Sequence, residues 1–520
     1  MKPIATSTSD FADLIKNGGI YVDKTAYFHR LVSNRTNNLL FLSRPRRFGK
    51  SLTITALKEI FSGNRELFEG LAISKTDWSW EKWPVIHFEF ADVDTTSIES
   101  FEREFAFHVK GRLSKTDYVY DESISPAANF GMAIDSLSEA NNGNGVVVLI
   151  DEYDAPVSHA LDDIAKAEAI RSRMGSFFSM MKTRTGAIRF LLMTGVSKFT
   201  KMSVFSCLNN IVDISMDEEY ATMLGYTEEE LEENFEEHLC EHAIKMGLTY
   251  EDYRAEMKRW YNGFRFSLDC VTTVYNPISI ALTLFKKRKE FSATWSSTGR
   301  ASSLMNSLKR WDMLAIDPDK TQFVTEQELD VTNLADLKPI GMLYQTGYLT
   351  IKDYADGLYT LSVPDEEVRR DLNLLMTSVA AEKDVSWAAS LGAKLRGGAF
   401  ADFFLGLKSL YAAMAYGSTE STVHENSYAR SLSFLLAGCG FRFSMEDVQA
   451  NGRADVVARH VNGIYIFELK VGEGVDKAFK QIREKGYATP YLASGLPIYL
   501  IGLSFDPATR QLVDCAFLRE

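Results

Sequence analysis

Leu39-Leu40-Phe41-Leu42-Ser43-Arg44-Pro45-Arg46-Arg47-Phe48-Gly49-Lys50-Ser51-Leu52 is the stretch from which the fold can be read. An apolar run passes into a basic loop and Gly49-Lys50-Ser51. Leu52, Ile54, Leu57, Ile60 and Phe61 then follow at helical spacing, which predicts strand, loop and helix. Polyphosphate binding needs that order. Backbone N–H groups at a helix N-terminus present positive dipole to an anion, Lys50 can reach the outer phosphates, and the Ser51 hydroxyl can ligate Mg2+. Arg46, Arg47, Phe48, Gly49, Lys50, Ser51 and Leu52 are therefore the expected nucleotide cradle. The pattern G-x-x-x-x-G-K-[ST] is incomplete, because Arg44 stands where its first glycine belongs. Glycine there relieves a tight turn, so this loop must close differently, with Pro45 fixing one φ and the arginines adding charge. Taken alone, the stretch also reads as an ordinary strand-turn-helix with a basic corner.

Downstream, Val146-Val147-Val148-Leu149-Ile150 runs into Asp151-Glu152-Tyr153-Asp154. Such an unbroken apolar run predicts a strand buried on both faces of a parallel sheet, with carboxylates at the edge where ligands bind. In a nucleotide site Asp151 holds the Mg2+ shell and Glu152 orients the attacking water. A third strand, Arg189 to Ser197, ends in small hydroxyl residues, and Thr194 or Ser197 is expected to hydrogen-bond the γ-phosphate or the water, as a sensor does. Upstream, Tyr21-Val22-Asp23-Lys24-Thr25 before a Phe28-Leu31-Val32 stripe reads as a capping helix.

The chain has 520 residues, enough for several domains with their own cores. Its formal charge of −13 removes bulk charge as a basis for nucleic-acid binding, so any such contact must be local. Cys207, Cys240, Cys270, Cys439 and Cys515 lie far apart without C-x-x-C pairing, as expected of reduced thiols. The N-terminus has no apolar signal-like run, and no stretch approaches the ~20 apolar residues of a membrane span. A cytoplasmic protein without membrane contact is expected.

In the middle, Thr227-Glu228-Glu229-Glu230 predicts a capped helix start. His238, Cys240 and His242 share that helix, but with no further ligand in reach a solvated helix face is the preferred reading. Arg265, in an aromatic-rich turn, is expected to pack its stem. Two short strands, Leu343 to Ile351 and Leu358 to Pro364, joined through Ala355-Asp356-Gly357, suggest a winged-helix-like segment serving as a connector.

Near the C-terminus, Gly452 to Lys470 permits a geometric reading. Asn462-Gly463 between apolar runs predicts a hairpin with a two-residue type I′ turn, placing Val461 opposite Ile464, Val457 opposite Glu468 and Asp455 opposite Lys470. Alternation then puts Asp455, Glu468 and Lys470 on one face. Two carboxylates so placed can clamp a divalent cation beside a lysine that positions water or offsets charge. Glu425, on a preceding helix, is a candidate further ligand; Gln481 and Tyr487 are candidate supports from the following helix. An exposed hairpin with a surface Asp455–Lys470 ion pair is the plainer alternative.

The runs Tyr21 to Thr25, Ser43 to Leu52, Ile150 to Asp154 and Thr194-Gly195-Val196-Ser197-Lys198-Phe199 together resemble the bacterial AAA-ATPase-like family. The acid followed by Glu468-Leu469-Lys470 resembles the PD-(D/E)XK nuclease pattern, with alanine at the proline position. The resemblance implies an α/β fold class: an AAA-like P-loop core over 1–215, a helical lid over 216–315, a winged-helix-like and helical connector over 316–412, and a restriction-endonuclease-like domain over 413–520. It implies ATP and Mg2+ as cofactors, with Mn2+ as an alternative at the nuclease site, and nucleic acid, with DNA foremost, as partner. Catalysis would fall to Glu152 in one site and to Asp455, Glu468 and Lys470 in the other. Related ATPases complete their site with an arginine from a neighbouring copy, and Arg184, Arg265 and the loop arginines are open candidates in a homo-oligomer. The alternative reading is an ATP-dependent signalling or scaffold switch whose nuclease-like domain recognises without cutting.

Overall fold

The computed structural model describes residues 1–197, 210–295, 322–329, 338–417, 425–449 and 452–520, with the side chains of 415–417, 425–426, 446–449 and 452 outside the description. Two compact units result, one holding Met1–Ser303 with Lys320–Glu367 and one holding Val368–Glu520.

In the first unit, strand β1 (Leu39–Ser43) feeds a helix over Lys50–Phe61 through the loop 44–49. β2 (Val85–Glu89), β3 (Val146–Asp151), β4 (Ile188–Gly195) and β5 (Val212–Asp213) join it in a parallel sheet ordered β2-β3-β4-β1-β5. Parallel neighbours need crossovers, which the helices Ile98–Leu113, Pro126–Ala140 and Ile164–Phe178 help to supply. Phe88 of β2 packs on Phe130 and Phe177 from these helices, whereas Phe61 of the Lys50 helix packs on Phe190 of β4. Both faces are thus covered, which is why every residue of β3 is buried.

Beyond the sheet, Thr227 and Glu230 form a capping box that starts the helix Glu228–Met246. With the helices Tyr250–Tyr261 and Pro277–Lys286 it encloses a separate core around Phe235, Leu239, Tyr253, Met257 and Ile280. The two-stranded ribbon of β6 (Asn262–Phe264) and β7 (Val274–Tyr275) lies between these helices in the chain. β8 (Gln322–Val324), β9 (Thr350–Ala355) and β10 (Leu358–Ser362) form an antiparallel sheet ordered β8-β10-β9; the short helices Glu326–Leu329 and Pro339–Thr346 lie between β8 and β9 in the chain, in a winged-helix-like order. Asp356 and Gly357, with φ of 52° and 80°, make the two-residue turn between β9 and β10. Positive φ at both central residues is the type I′ signature.

The second unit contains five strands in chain order, β11 (Arg442–Gln449), β12 (Gly452–His460), β13 (Gly463–Val471), β14 (Ile498–Phe505) and β15 (Leu512–Arg519). All neighbours are antiparallel except β13 and β14, which are parallel and joined across the helix Val475–Lys485. One core joins Phe467, Leu469 and Leu503 to helical Leu391, Phe403 and Leu435; another joins Val457, Ile466 and Leu500 to Phe479 and Ile482 of the Val475–Lys485 helix.

The β12–β13 hairpin differs from the sequence expectation. His460 pairs with Gly463 and Val457 with Ile466, so the turn centres on Val461 and Asn462, and neither has a positive φ. The glycine is consumed by packing instead. A Cβ on Gly463 would stand 2.9 Å from the Pro497 carbonyl oxygen, at the point where Ile464 N donates to that same oxygen. Register therefore moves by two residues from the expected pairing. Because that shift is even, each side chain keeps its face, and the ladder runs from His460–Gly463 to Val456–Phe467, one residue short of Asp455 and Glu468.

Candidate nucleotide and metal sites

Gly49, at φ 94°, precedes the first helical residue, Lys50. The Lys50 side chain is buried, and its Nζ donates to the carbonyls of Arg44 (2.9 Å) and Pro45 (3.0 Å), curling back over its own loop. Burial lowers the Lys50 pKa, and the carboxylates of Glu152, Asp151 and Asp154 oppose that shift. Arg44 explains how the loop closes without glycine. It is only 2% exposed, and its Nη1 donates to Ser43 O (3.0 Å) and Ser215 O (2.6 Å). Its Nη2 donates to Tyr220 O (3.1 Å), and the guanidinium lies 4.2 Å from the centre of the Phe266 ring. Arg44 is thus an internal strut rather than a phosphate ligand.

Phe48 is buried edge-on to Phe264 and Phe266 at 4.8 and 5.2 Å. The Arg46 carbonyl accepts from Asn276 Nδ2 and Trp295 Nε1, both at 3.4 Å, and Arg47 is exposed at φ 67°. Arg46, Arg47, Phe48, Gly49, Lys50, Ser51 and Leu52 all border a cavity of about 490 Å3 that Glu152 also lines. Val22, Leu224, Ile278 and Ala281 add apolar lining to the same cavity.

Across the C-terminal edge of the sheet, Glu89 is in register with Asp151, and Thr194 Oγ1 donates to Asp151 Oδ1 at 2.5 Å. Asp151 Oδ1 also accepts from the Glu152 backbone N at 3.0 Å, which fixes the carboxylate. Glu152 sits at φ 49°, an uncommon conformation for glutamate of the kind that functional sites retain. Burial raises its pKa, with Lys50 opposing the shift. Ser197 is turned away from the cavity: its N and Oγ both donate to Asp154, which the Val196 N also approaches. Gly195 permits this closeness, since a Cβ there would stand 2.5 Å from Asp154 Oδ1.

In the second unit, Glu468 is completely buried and accepts from Lys470 Nζ at 2.8 Å through Oε1. Lys470 Nζ also donates to Leu469 O (3.0 Å), and the Leu469 N donates to Asp455 Oδ2 (2.7 Å). Burial, then the neighbouring Asp455 carboxylate, pushes Glu468 up to about 7 despite Lys470. Glu468 Oε2 is buried without a hydrogen-bond partner, an orphan acceptor that a divalent cation between the two acids would satisfy. Gln481 Nε2 donates to the Tyr487 hydroxyl (3.4 Å), whose pKa is raised by burial and, secondarily, by Glu468 and Asp455. The structure thus brings Asp455, Glu468, Lys470, Gln481 and Tyr487 together. Glu425 begins the helix Glu425–Gly438, but its side chain lies outside the described residues.

Other candidates are committed elsewhere. Arg184 bonds Asp135 (2.8 Å) and Met180 O (3.0 Å), and Arg265 donates to the carbonyls of Ser267 (2.9 Å), Cys270 (3.1 Å) and Lys352 (2.7 Å). Both ring nitrogens of His242 are hydrogen-bonded, to Tyr253 Oη (2.8 Å) and Arg288 O (2.7 Å). No cluster of three or more His, Cys, Asp or Glu suited to a metal occurs among the described residues. Sequence reasoning missed Glu89, although its signal, an acid ending an apolar strand, is the one that marked Asp151. It also missed Asp154, which it quoted without a role.

The description "Predicted AAA-ATPase" matches residues 3–205, and "PD-(D/E)XK nuclease superfamily" matches residues 423–515. An Azotobacter chroococcum mcd 1 protein, described as an uncharacterized protein in the vnfD 5′ region, is 33% identical over 515 residues, covering 95% of this chain and 94% of its own. With a P-loop at the edge of a parallel sheet and an acid-acid-lysine cluster on a mixed one, the chain belongs to the AAA-ATPase-like family and carries a PD-(D/E)XK nuclease-superfamily domain.

Proposed function

We propose that the protein binds ATP with Mg2+, hydrolyses it, and couples that state to divalent-metal-dependent cleavage of nucleic acid, DNA foremost. The observation that carries the ATP half is the cavity of about 490 Å3 shared by Lys50, Ser51 and Glu152, within the size range of ligand pockets. Lys50 exchanges the Arg44 and Pro45 carbonyls for the outer phosphate oxygens, and the backbone N–H groups of the loop hold the rest of the tail. Glu152, its basicity raised by burial, takes the proton of the attacking water. Asp151, oriented by Thr194, would hold Mg2+ together with Ser51, and the ion would supply charge neutralisation.

At the second site Asp455 and Glu468 would hold a divalent cation, which would polarise the phosphodiester and acidify water. Lys470 turns from Glu468 toward developing negative charge, and the Gln481–Tyr487 pair orients the substrate side of the cluster. Lys50→Ala is expected to abolish ATP binding. Asp455→Ala or Glu468→Ala should abolish cleavage and leave ATP binding intact. Equal cleavage by wild type and the Asp455 variant removes the nuclease assignment, and unchanged phosphate release by Glu152→Gln removes that base.

The second reading, a switch whose nuclease fold recognises without cutting, is favoured by one feature: Lys470 already neutralises a Glu468 that has no exposure to solvent. Titrating Mg2+ and Mn2+ against plasmid, linear and single-stranded substrates separates the two, because a switch binds and never cuts. In either case a cytoplasmic location and a homo-oligomer fit the family resemblance.

A further inference from the structure

Lys24, in the Tyr21 to Thr25 stretch, is 6% exposed, far from what a helix-capping surface residue needs. Its Nζ lies 2.6 Å from both carboxylate oxygens of Glu230 and 2.8 Å from the Thr222 carbonyl. Glu230 in turn accepts from the Thr227 backbone N (2.9 Å) as part of the capping box, and the Tyr27 hydroxyl meets Thr222 Oγ1 at 2.8 Å. Between those two anchor points run Met223, Leu224, Gly225 and Tyr226, all of which line the cavity that also holds Gly49, Lys50 and Ser51. Tyr21, Val22 and Lys24 line it too. Tyr21 has a buried hydroxyl with no hydrogen-bond partner, a donor left over on this wall.

Among the lining residues, Arg46, Arg47, Gly49, Lys50 and Ser51 suit a phosphate tail, and Val22, Leu224 and Ile278 suit a flat base and its ribose. A buried ammonium needs its carboxylate and carbonyl partners, so the position of Lys24 dictates where Thr222 and Glu230 can stand. We propose that the Lys24–Glu230–Thr222 clasp builds the nucleoside-binding wall of this cavity, making Lys24 a positioning residue for the base and ribose of a nucleoside triphosphate and not for its phosphates. The proposal rests on the nucleotide reading given above and adds which chain elements take the nucleoside.

Calorimetric titration of the full chain with Mg2+-ATP and, separately, with Mg2+-tripolyphosphate tests it. Lys24→Met leaves the part-buried Glu230 charge without its partner, so Lys24→Met/Glu230→Gln, which removes both charges, and Tyr27→Phe, which removes none, are measured beside it. In the double variant ATP affinity should fall by about tenfold or more, while tripolyphosphate affinity stays within about twofold of wild type. Tyr27→Phe should show the same asymmetry at about two- to threefold, and Lys24→Arg should recover most of the ATP affinity. The proposal is overturned if ATP affinity is unchanged in the folded double variant, or if the two ligands weaken equally there and in Tyr27→Phe. A wild-type protein that binds tripolyphosphate but gains nothing from the nucleoside also overturns it while sparing the phosphate loop; one that binds neither sinks the nucleotide reading itself.

Discussion

At Arg44 a basic side chain in a phosphate-binding loop turns out to face inward. Truncation strips its bonds from three carbonyls; Tyr220 O keeps the Met223 N, and the other two lose a partner at about 1 kcal/mol or more apiece. Arg44→Gly, which restores the common loop pattern, is therefore expected to lower stability by about 2 kcal/mol or more and to weaken ATP binding. A thermal melt and a nucleotide titration check this, and a stabilised or tighter-binding variant would refute the strut role. Glu468 makes a second residue-scale prediction. Its carboxyl is raised to about 7 in the folded protein, so the native state holds a proton that the unfolded chain has released once the pH passes its ordinary value near 4.5. Stability of the metal-free protein should thus fall as pH rises from about 4.5 to 7, by up to about 1.4 kcal/mol per unit. Mn2+ must displace that proton, so its affinity should weaken about tenfold per unit as pH drops below 7. Glu468→Gln should abolish the stability slope; a slope that persists in that variant belongs to another group.

Among elements, the two hairpins carry opposite lessons. In β9–β10 the Asp356-Gly357 pair does adopt positive φ, so Gly357→Ala should destabilise by about 1 kcal/mol. In β12–β13 neither central residue has positive φ, so Asn462→Ala should change stability by less than about 0.5 kcal/mol. Denaturant titrations of both variants decide the point, and a larger loss at Asn462 would argue that a type I′ turn forms there after all. The parallel sheet accounts for the nucleotide edge in the same way. Placing β4 between β1 and β3 sets Thr194 beside Asp151, where its hydroxyl orients the carboxylate.

For the whole molecule, each compact unit closes its own core, around Phe235 and Tyr253 in one case and around Leu435 and Phe467 in the other. Calorimetry is expected to resolve a nucleotide-sensitive transition that saturating ATP stabilises by about 2.7 kcal/mol at a hundredfold excess over Kd. Lys50→Ala should erase that gain. A gain that survives the substitution would place ATP somewhere other than the loop. Among the described residues no helix is long and apolar enough to cross a membrane.

The order strand, loop, helix at Leu39–Phe61, the buried strand ending in Asp151 and the shared face of Asp455, Glu468 and Lys470 were legible in the sequence, because apolar periodicity and side-chain alternation are local properties that survive even a two-residue change of register. Tertiary structure alone decided that Arg44 points inward, that Gly463 serves β14 rather than a turn, and that Lys24 reaches Glu230 across 206 positions of chain. Those choices depend on which buried polar atom finds which partner, and such pairings are set by distant segments that the local pattern does not encode.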